Sequence, residues 1–200
     1  VVVMIILYDN IEKYTNVEFQ YFYTFLSIDD KDRLNKIVKV NDKKLFILSR
    51  FLLNKLLDSK YNIDYKKLKI YYNKFNKPLT NNIFFNISHK ANYCVVCTSL
   101  KKIGVDIEKI KHINLNIINY VCTYYEKEYI LNSNDIDKSF FEIFCLKEAY
   151  IKMLGSNLSS IKNIEFRKFN EKFICSSNYN IIIELLYNID GYMVAIVQEK

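Results

Sequence analysis

The feature that most constrains this sequence is the order in which two hydrophobic periodicities follow one another along it. Alternating apolar residues, typical of strands, and apolar residues at helical spacing occur as strand, helices, strands, and then again as helices, strands. The second series begins near residue 100, so the order predicts an α+β fold of two halves, residues 1–100 and 101–200. The predicted strands are Val2–Tyr8, Leu68–Tyr72, Ile83–Ser88, Tyr93–Leu100, Ile103–Glu108, Ile161–Lys168, Lys172–Cys175, Ile181–Tyr187 and Tyr192–Val197. The predicted helices are Asp29–Val38, Lys43–Leu57, Asn114–Cys122, Tyr125–Leu131 and Asp137–Leu154.

Charge and cysteine content narrow the classes of function. Lys and Arg total 29 against 22 Asp and Glu, and the net charge of +7 favours phosphorylated or acidic partners. Apolar runs are shorter than the roughly 20 residues that cross a bilayer, so we expect no membrane partner and a cytoplasmic location. The five cysteines are an odd number in a sequence without a recognisable export signal, so we expect reduced thiols buried in the core. Cys94 and Cys97 should face opposite sides of one strand and so should not chelate a metal together.

Two carboxylates in Gly104–Glu108 are the first candidate site. Period two places Asp106 and Glu108 on one face of a strand, with Cα atoms about 6.6 Å apart. Two like charges at this distance repel unless a cation joins them, and oxygen-only ligands favour Mg²⁺, or Mn²⁺, over zinc. The alternative is a solvated edge strand that leads into Lys109 and Lys111.

A third carboxylate, Glu148, lies on the apolar face of the predicted helix Asp137–Leu154. A carboxylate on such a face needs a partner. That partner is either a metal ion or Lys152, through an ordinary i to i+4 ion pair. Lys147 and Lys152 could alternatively supply positive charge to a phosphate group.

The segment Phe85–His89 is the third candidate site. A strand of apolar residues ends there in Ser88, His89 and then Lys90, which can all donate hydrogen bonds to phosphate. Lys77 precedes the segment and makes its surroundings more cationic. A lone histidine is more often structural, so His89 alone does not decide the function.

Taken together, these stretches resemble the 4′-phosphopantetheinyl transferase superfamily, and specifically its monomeric, surfactin-type branch. The family's Gly-Lys-Pro corresponds to Asn76-Lys77-Pro78, and its Phe-Asn-hydrophobic-Ser-His corresponds to Phe85–His89. The family's Gly-hydrophobic-Asp-hydrophobic-Glu corresponds to Gly104–Glu108, and its Lys-Glu-Ala/Ser-aromatic-hydrophobic-Lys to Lys147–Lys152. Asn76 in place of Gly and Phe144 in place of the frequent Trp are departures from the common pattern.

The resemblance implies two similar halves packed as a pseudo-dimer, with the active site in the cleft between them. It implies Mg²⁺-dependent transfer of the 4′-phosphopantetheine arm of coenzyme A to a serine of an apo carrier protein, with release of 3′,5′-ADP. The implied metal ligands are Asp106, Glu108 and Glu148, and Glu148 is also the implied general base, directly or through water. Lys152 is expected to share in catalysis, and the implied coenzyme A contacts are Lys43, Lys44, Lys77, Pro78, Ser88, His89, Lys147 and Lys152. Arg50 is an alternative to Lys43 and Lys44.

The resemblance also implies that an acidic acyl, peptidyl or polyketide carrier docks on Asn116–Leu131, where Tyr120, Tyr124 and Tyr125 supply aromatic contact area. The alternative is that these tyrosines only pack between helices. Two other function classes compete. A Mg²⁺-dependent phosphohydrolase or nuclease could use the same three carboxylates, and a nucleic-acid-binding module could use the interleaved Lys, Tyr and Phe of Lys67–Phe75.

Overall fold

The computed structural model describes residues 5–75 and 77–200, and its first half is a three-stranded antiparallel sheet packed on a long helix. In spatial order the strands are β1 (Ile5–Asn10), β5 (Tyr93–Ser99) and β4 (Phe84–Lys90). The helix is α3 (Val40–Tyr61), which buries Leu45, Leu48, Leu52 and Leu56 under the sheet. Each such leucine contributes about 1.5–3 kcal/mol of hydrophobic stabilisation. The smaller elements are α1 (Asn16–Tyr23), α2 (Ile28–Lys36), β2 (Tyr71–Tyr72) and β3 (Pro78–Leu79).

The second half repeats this plan. Its antiparallel sheet has the order β6 (Ile103–Lys109), β10 (Tyr192–Glu199) and β9 (Ile181–Leu186), and it packs on α6 (Ile136–Leu154). The side chain of Asp135 caps the amide of Lys138 at 2.9 Å where α6 begins, and Gly155 ends the helix with φ +67°. The smaller elements are α4 (Asn116–Val121), α5 (Tyr124–Leu131), β7 (Phe166–Phe169) and β8 (Lys172–Cys175).

The two halves share one topology. In each half a strand leads to a long helix, then to two more strands, and the last strand lies in the middle of the sheet. The first half runs β1, α3, β4, β5, and the second runs β6, α6, β9, β10. The predicted α+β fold of two similar halves is thereby confirmed.

The halves meet along β4, β5 and β6. Val95 and Cys97 from the first half pack there against Val105, Ile107 and Ile196 from the second, and all five are buried. A polar contact fixes the register of this seam, because the side-chain oxygen of buried Asn86 accepts a hydrogen bond from the amide of Val105 at 2.9 Å. The seam therefore places the ends of β4 and β6 side by side.

Three predictions of secondary structure require correction. Helix α1 is not among the predicted elements, although Thr15 and Glu18 form a capping box at its start. The strand predicted over Leu68–Tyr72 is limited to Tyr71–Tyr72, and the one predicted over Ile161–Lys168 is a 3₁₀ helix, Leu158–Asn163, followed by β7. Val2–Met4 and Asn76 lie outside the described residues.

The five cysteines are all free and buried, as predicted. Cys94 packs in the core beneath α3, whereas Cys97 lies in the seam, so the two thiols do face opposite sides of β5. Among the described residues, no helix has both the length and the apolar character needed to cross a membrane.

Candidate active site

Gly104 sets the distance between β6 and α6. A Cβ atom at this position would lie 2.0 Å from the carbonyl oxygen of Ala149 and 2.4 Å from the amide nitrogen of Met153. Both atoms belong to the helix backbone, so only glycine permits this approach. The close packing brings Glu148 and Lys152, which are one helical turn apart, beside the carboxylates of β6.

Asp106 is the centre of a hydrogen-bonded cluster and is only 3% exposed. Its Oδ1 accepts hydrogen bonds from Lys152 Nζ at 2.6 Å and from Ser88 Oγ at 3.0 Å. Lys152 Nζ also donates to Ser88 Oγ at 2.9 Å, and the Sγ of Cys145 lies 3.2 Å from Asp106 Oδ2. Ser88 belongs to the first half and the other three residues to the second, so this cluster spans the seam.

Glu108 and Glu148 differ in their partners. Glu108 forms an ion pair with Lys90, whose Nζ lies 2.5 Å from Oε2. Glu148 is half-buried and makes no hydrogen bond or ion pair with any residue that the structure describes. Burial raises the pKa of Glu148 to about 7, and the negative charge of Asp106 adds to this effect while Lys152 opposes it. A carboxyl group with a pKa near 7 can accept a proton and release it again at neutral pH.

The three carboxylates have the chemistry of a site for a hard divalent cation. Asp106 and Glu108 both repel the charge on Glu148, and Lys152 and Lys90 each place an ammonium against one of the three groups. Within residues 5–75 and 77–200, no three carboxylate, imidazole or thiol groups stand close enough to form a ready metal cage. Carboxylate oxygens are the donors that Mg²⁺ and Mn²⁺ prefer, and the ammonium groups of Lys152 and Lys90 now supply the positive charge beside Asp106 and Glu108.

Lys147 faces away from this cleft. Successive residues of a helix are separated by about 100° around its axis, so Lys147 and Glu148 cannot share a direction. The Nζ of Lys147 lies 2.6 Å from Glu126 Oε2, and both side chains are 0% exposed. The expected contact of Lys147 with coenzyme A is therefore corrected, because its ammonium is enclosed in the protein.

His89 lies on the opposite face of β4 from Ser88, as neighbouring strand residues do. It faces α3, where Asp42 and Arg50 are its charged neighbours. Desolvation by the surrounding protein and the nearby Lys152 ammonium lower the pKa of His89, although its side chain is exposed, and this favours the neutral imidazole. A cavity of about 180 Å³ opens on this face, and its lining includes Arg33, Arg50, Tyr72, Pro78, Phe85 and Ile87.

Three other predicted basic residues have different surroundings. Lys77 donates from Nζ to the carbonyl of Met153 at 2.7 Å, and partial burial lowers the pKa of Lys77 to about 8. Lys44 extends over the ring of Phe19 at 5.1 Å, and Lys43 is half-buried in the first turn of α3. The ammonium group of Lys77 therefore contacts the end of α6, and Arg50 rather than Lys44 lies near His89.

Comparison with protein families divides the chain at the same point as its topology. Residues 102–197 match the family described as "4'-phosphopantetheinyl transferase superfamily", and residues 13–101 match "4'-phosphopantetheinyl transferase, N-terminal". The chain belongs to the 4′-phosphopantetheinyl transferase superfamily. Together the two matches reach from residue 13 to residue 197.

Relatives of the surfactin-type branch are among the similar proteins. The chain is 32% identical to 4′-phosphopantetheinyl transferase gsp of Aneurinibacillus migulanus over 70% of its own length and 60% of the relative's. It is 24% identical to 4′-phosphopantetheinyl transferase Sfp of Bacillus subtilis (strain 168), over 69% of this chain and 64% of Sfp. The chain therefore spans less than two thirds of these relatives. A crystal structure of Thermotoga maritima holo-[acyl-carrier-protein] synthase aligns with a TM-score of 0.44 and 21% identity, over 50% of this chain and 62% of that one.

The three tyrosines predicted to contact a partner are exposed. The exposed fractions are 76% for Tyr120, 70% for Tyr124 and 52% for Tyr125. The guanidinium of Arg167 stacks on the ring of Tyr125 at 3.6 Å. These tyrosines are therefore available to a partner and are not packed between helices. We refer to Tyr120, Tyr124 and Tyr125 as the tyrosine surface.

Sequence reasoning overlooked several residues of the site. It did not assign Cys145 to Asp106 or Lys90 to Glu108, and it did not identify Glu126. Lys90 could have been found, because it lies two residues after Ser88 and so shares the face of β4 that meets β6. Glu126 gave no signal beyond its place in the capping box with Thr123.

Proposed function

We propose that this protein transfers the 4′-phosphopantetheine arm of coenzyme A to a serine of an apo carrier protein and releases 3′,5′-ADP. The observation that carries the proposal is the cluster of Ser88, Asp106 and Lys152, which joins the two family-matched halves. In this cluster Ser88 of β4 contacts Asp106 of β6 and Lys152 of α6. Both walls of the cleft come from a single chain, so we also propose that a monomer suffices.

Coenzyme A would lie across the seam. The nucleotide end would lie on the α3 face of β4, near the cavity that Arg33 and Arg50 line. Arg50 pairs with Asp30 at 3.1 Å and is also a charged neighbour of His89. A guanidinium group recognises phosphate oxygens in a bidentate manner, and a protonated imidazole adds one more donor. The pyrophosphate would then reach Lys152 and Ser88 at the cluster. Lys43, half-buried in the first turn of α3, would add positive charge on the same helix as Arg50.

Asp106, Glu108 and Glu148 would hold the divalent cation, Mg²⁺ or Mn²⁺. When bound, that cation would neutralise charge on the pyrophosphate and so favour attack at phosphorus. Lys152 and Lys90 now pair with two of these carboxylates, and both ammonium groups would turn toward phosphate oxygens instead. The repulsion that raises the pKa of Glu148 favours such an exchange of partners.

The chemistry needs one proton acceptor near the attacking hydroxyl. The carrier serine oxygen forms a bond to the β-phosphorus, and the bond to the bridging oxygen of 3′,5′-ADP breaks. Glu148 takes the serine proton, directly or through water, and Lys152 offsets the charge that develops on the phosphate oxygens. The phosphohydrolase alternative uses the same carboxylates with water as nucleophile, but the two family matches favour the transferase.

The carrier would dock on the tyrosine surface, and its acidic character suits the net charge of +7. The decisive experiment is intact-mass spectrometry of apo carrier proteins incubated with this protein, coenzyme A and Mg²⁺, with and without chelator. A mass gain of one phosphopantetheine arm that chelator abolishes would support the proposal. Hydrolysis of coenzyme A to free phosphopantetheine without any carrier would instead support the phosphohydrolase.

A further inference from the structure

We propose that the buried ion pair of Lys147 and Glu126 positions the tyrosine surface relative to Glu148, and thereby sets how well the carrier protein is presented to the cleft. The inference rests on the proposed function, because it concerns the carrier as second substrate. It assigns Lys147 and Glu126 as positioning residues that touch neither coenzyme A nor the reacting atoms.

The pair is completely enclosed and completely hydrogen-bonded. The Nζ of Lys147 lies 2.6 Å from Glu126 Oε2 and donates to the carbonyls of Val121 at 2.8 Å and Ile161 at 3.2 Å. The carboxylate of Glu126 accepts from the amides of Thr123 at 2.8 Å and Phe166 at 2.9 Å. All three protons of the ammonium and both carboxylate oxygens therefore have partners. Such satisfaction is required for a charge pair without solvent contact.

These contacts gather four separate segments at one point. Val121 is the last residue of α4, Thr123 caps the start of α5, and Glu126 lies in the first turn of α5. Ile161 belongs to the 3₁₀ helix and Phe166 to β7. Lys147, a residue of α6, thereby links these four segments to that helix. Hydrogen bonds are directional, so the pair defines the position of α4 and α5 more narrowly than apolar packing alone would.

Each member of the pair is close in sequence to one of the two groups that must act together, namely Glu148 and the tyrosine surface. Lys147 is adjacent in sequence to Glu148, and Glu126 follows Tyr124 and Tyr125. The buried pair thus joins the helix that carries Tyr124 and Tyr125 to the helix that carries Glu148. A shift of α5 on α6 would displace the docked serine while leaving the seam, where coenzyme A is proposed to bind, unchanged.

The test uses a double variant, Glu126→Gln with Lys147→Met. Either single change leaves an unpaired charge in the interior and is expected to lower the melting temperature more than the double change does. The glutamine oxygen can still accept from the amide of Phe166, and methionine fills most of the lysine volume. Leu53→Ala serves as a matched destabilised control, because Leu53 is a buried residue of α3 and packs in the core of the first half, which contains no residue of α4 or α5.

The measurements are the carrier KM, the coenzyme A KM, kcat and the coenzyme A Kd by calorimetry, all well below the melting temperature of each variant. We expect the double variant to raise the carrier KM about tenfold and to change the coenzyme A KM and Kd less than twofold. The Leu53→Ala protein should keep both KM values. An unchanged carrier KM in the double variant, or an equal rise of both KM values, would overturn the inference.

A mutant cycle adds a second criterion. Tyr124→Ala alone should raise the carrier KM. In the triple variant, the rise in the carrier KM should be much smaller than the product of the two separate effects, because both changes act on the same contact. Fully multiplicative effects would overturn the inference. Failure of the wild type to modify any carrier would instead refute the proposed function, so the two failures are distinguishable.

Discussion

Replacement of Gly104 by alanine tests whether the active site depends on the close approach of α6 to β6. The new Cβ would lie 2.0 Å from a backbone oxygen of the helix, and an ordinary contact is about 3.5 Å, so α6 would have to withdraw by about 1.5 Å. Overpacking of this kind costs about 1–3 kcal/mol, which lowers Tm by about 2–12 °C in a protein of this size.

The larger effect is expected in catalysis. Glu148 and Lys152 would move with the helix, away from Asp106 and from the phosphate, and a misplacement of about 1 Å can reduce the rate about 10²-fold. The assay is kcat for carrier modification, measured below the melting temperature of the variant. Loss of the 2.6 Å contact between Lys152 and Asp106 in a crystal structure of the variant would identify the cause.

Gly191→Ala is the matched control. Gly191 has φ +72°, so alanine there is strained by about 1–2 kcal/mol, yet nothing lies within 4 Å of the added Cβ. This variant should lose similar stability and keep kcat. If Gly104→Ala retained kcat within threefold of the wild type, or if both variants lost activity equally, the argument from close packing would be refuted.

Three further predictions concern individual groups. Glu148→Gln should reduce kcat by about 10²–10⁴-fold, because the amide cannot accept the serine proton, and a normal rate would contradict the proposed mechanism. As pH falls from about 7.5 to about 5.5, the affinity for coenzyme A should rise in the wild type relative to His89→Gln, because the lowered pKa of His89 makes the imidazole cationic only toward the acidic end. Calorimetry on both proteins measures this, and parallel pH profiles would show that His89 is not involved. Alanine at both Tyr124 and Tyr125 should raise the carrier KM with no change in the coenzyme A KM, and steady-state kinetics that show an unaltered carrier KM would exclude this surface.

The local hydrophobic periodicity of the sequence was sufficient to predict most of the fold and one wall of the candidate site. The period-two spacing placed Asp106 and Glu108 on a common face, and the helix ended at Gly155 as its left-handed conformation requires. Both features depend only on neighbouring residues. The repeated order of strands and helices likewise predicted the two halves, because each half is a local series of elements.

The failures came from contacts between distant segments. The pattern at Lys147 and Glu148 does not reveal which residue faces the cleft, since both are polar residues within an apolar run. The answer depends on Glu126, 21 residues earlier, whose approach is determined only by tertiary packing. The predicted strand Ile161–Lys168 includes the last three residues of the 3₁₀ helix Leu158–Asn163, because a short apolar pattern does not distinguish the two conformations.

The three residues between β5 and β6 have a consequence for how the site assembles. Ser99 ends the last strand of the first half and Ile103 begins the first strand of the second, so a short turn joins the two walls of the cleft. A tether of this length keeps its two ends at a mutual effective concentration of millimolar or more. The encounter of Ser88 with Asp106 is therefore intramolecular, and the specific activity of the protein should remain constant on dilution.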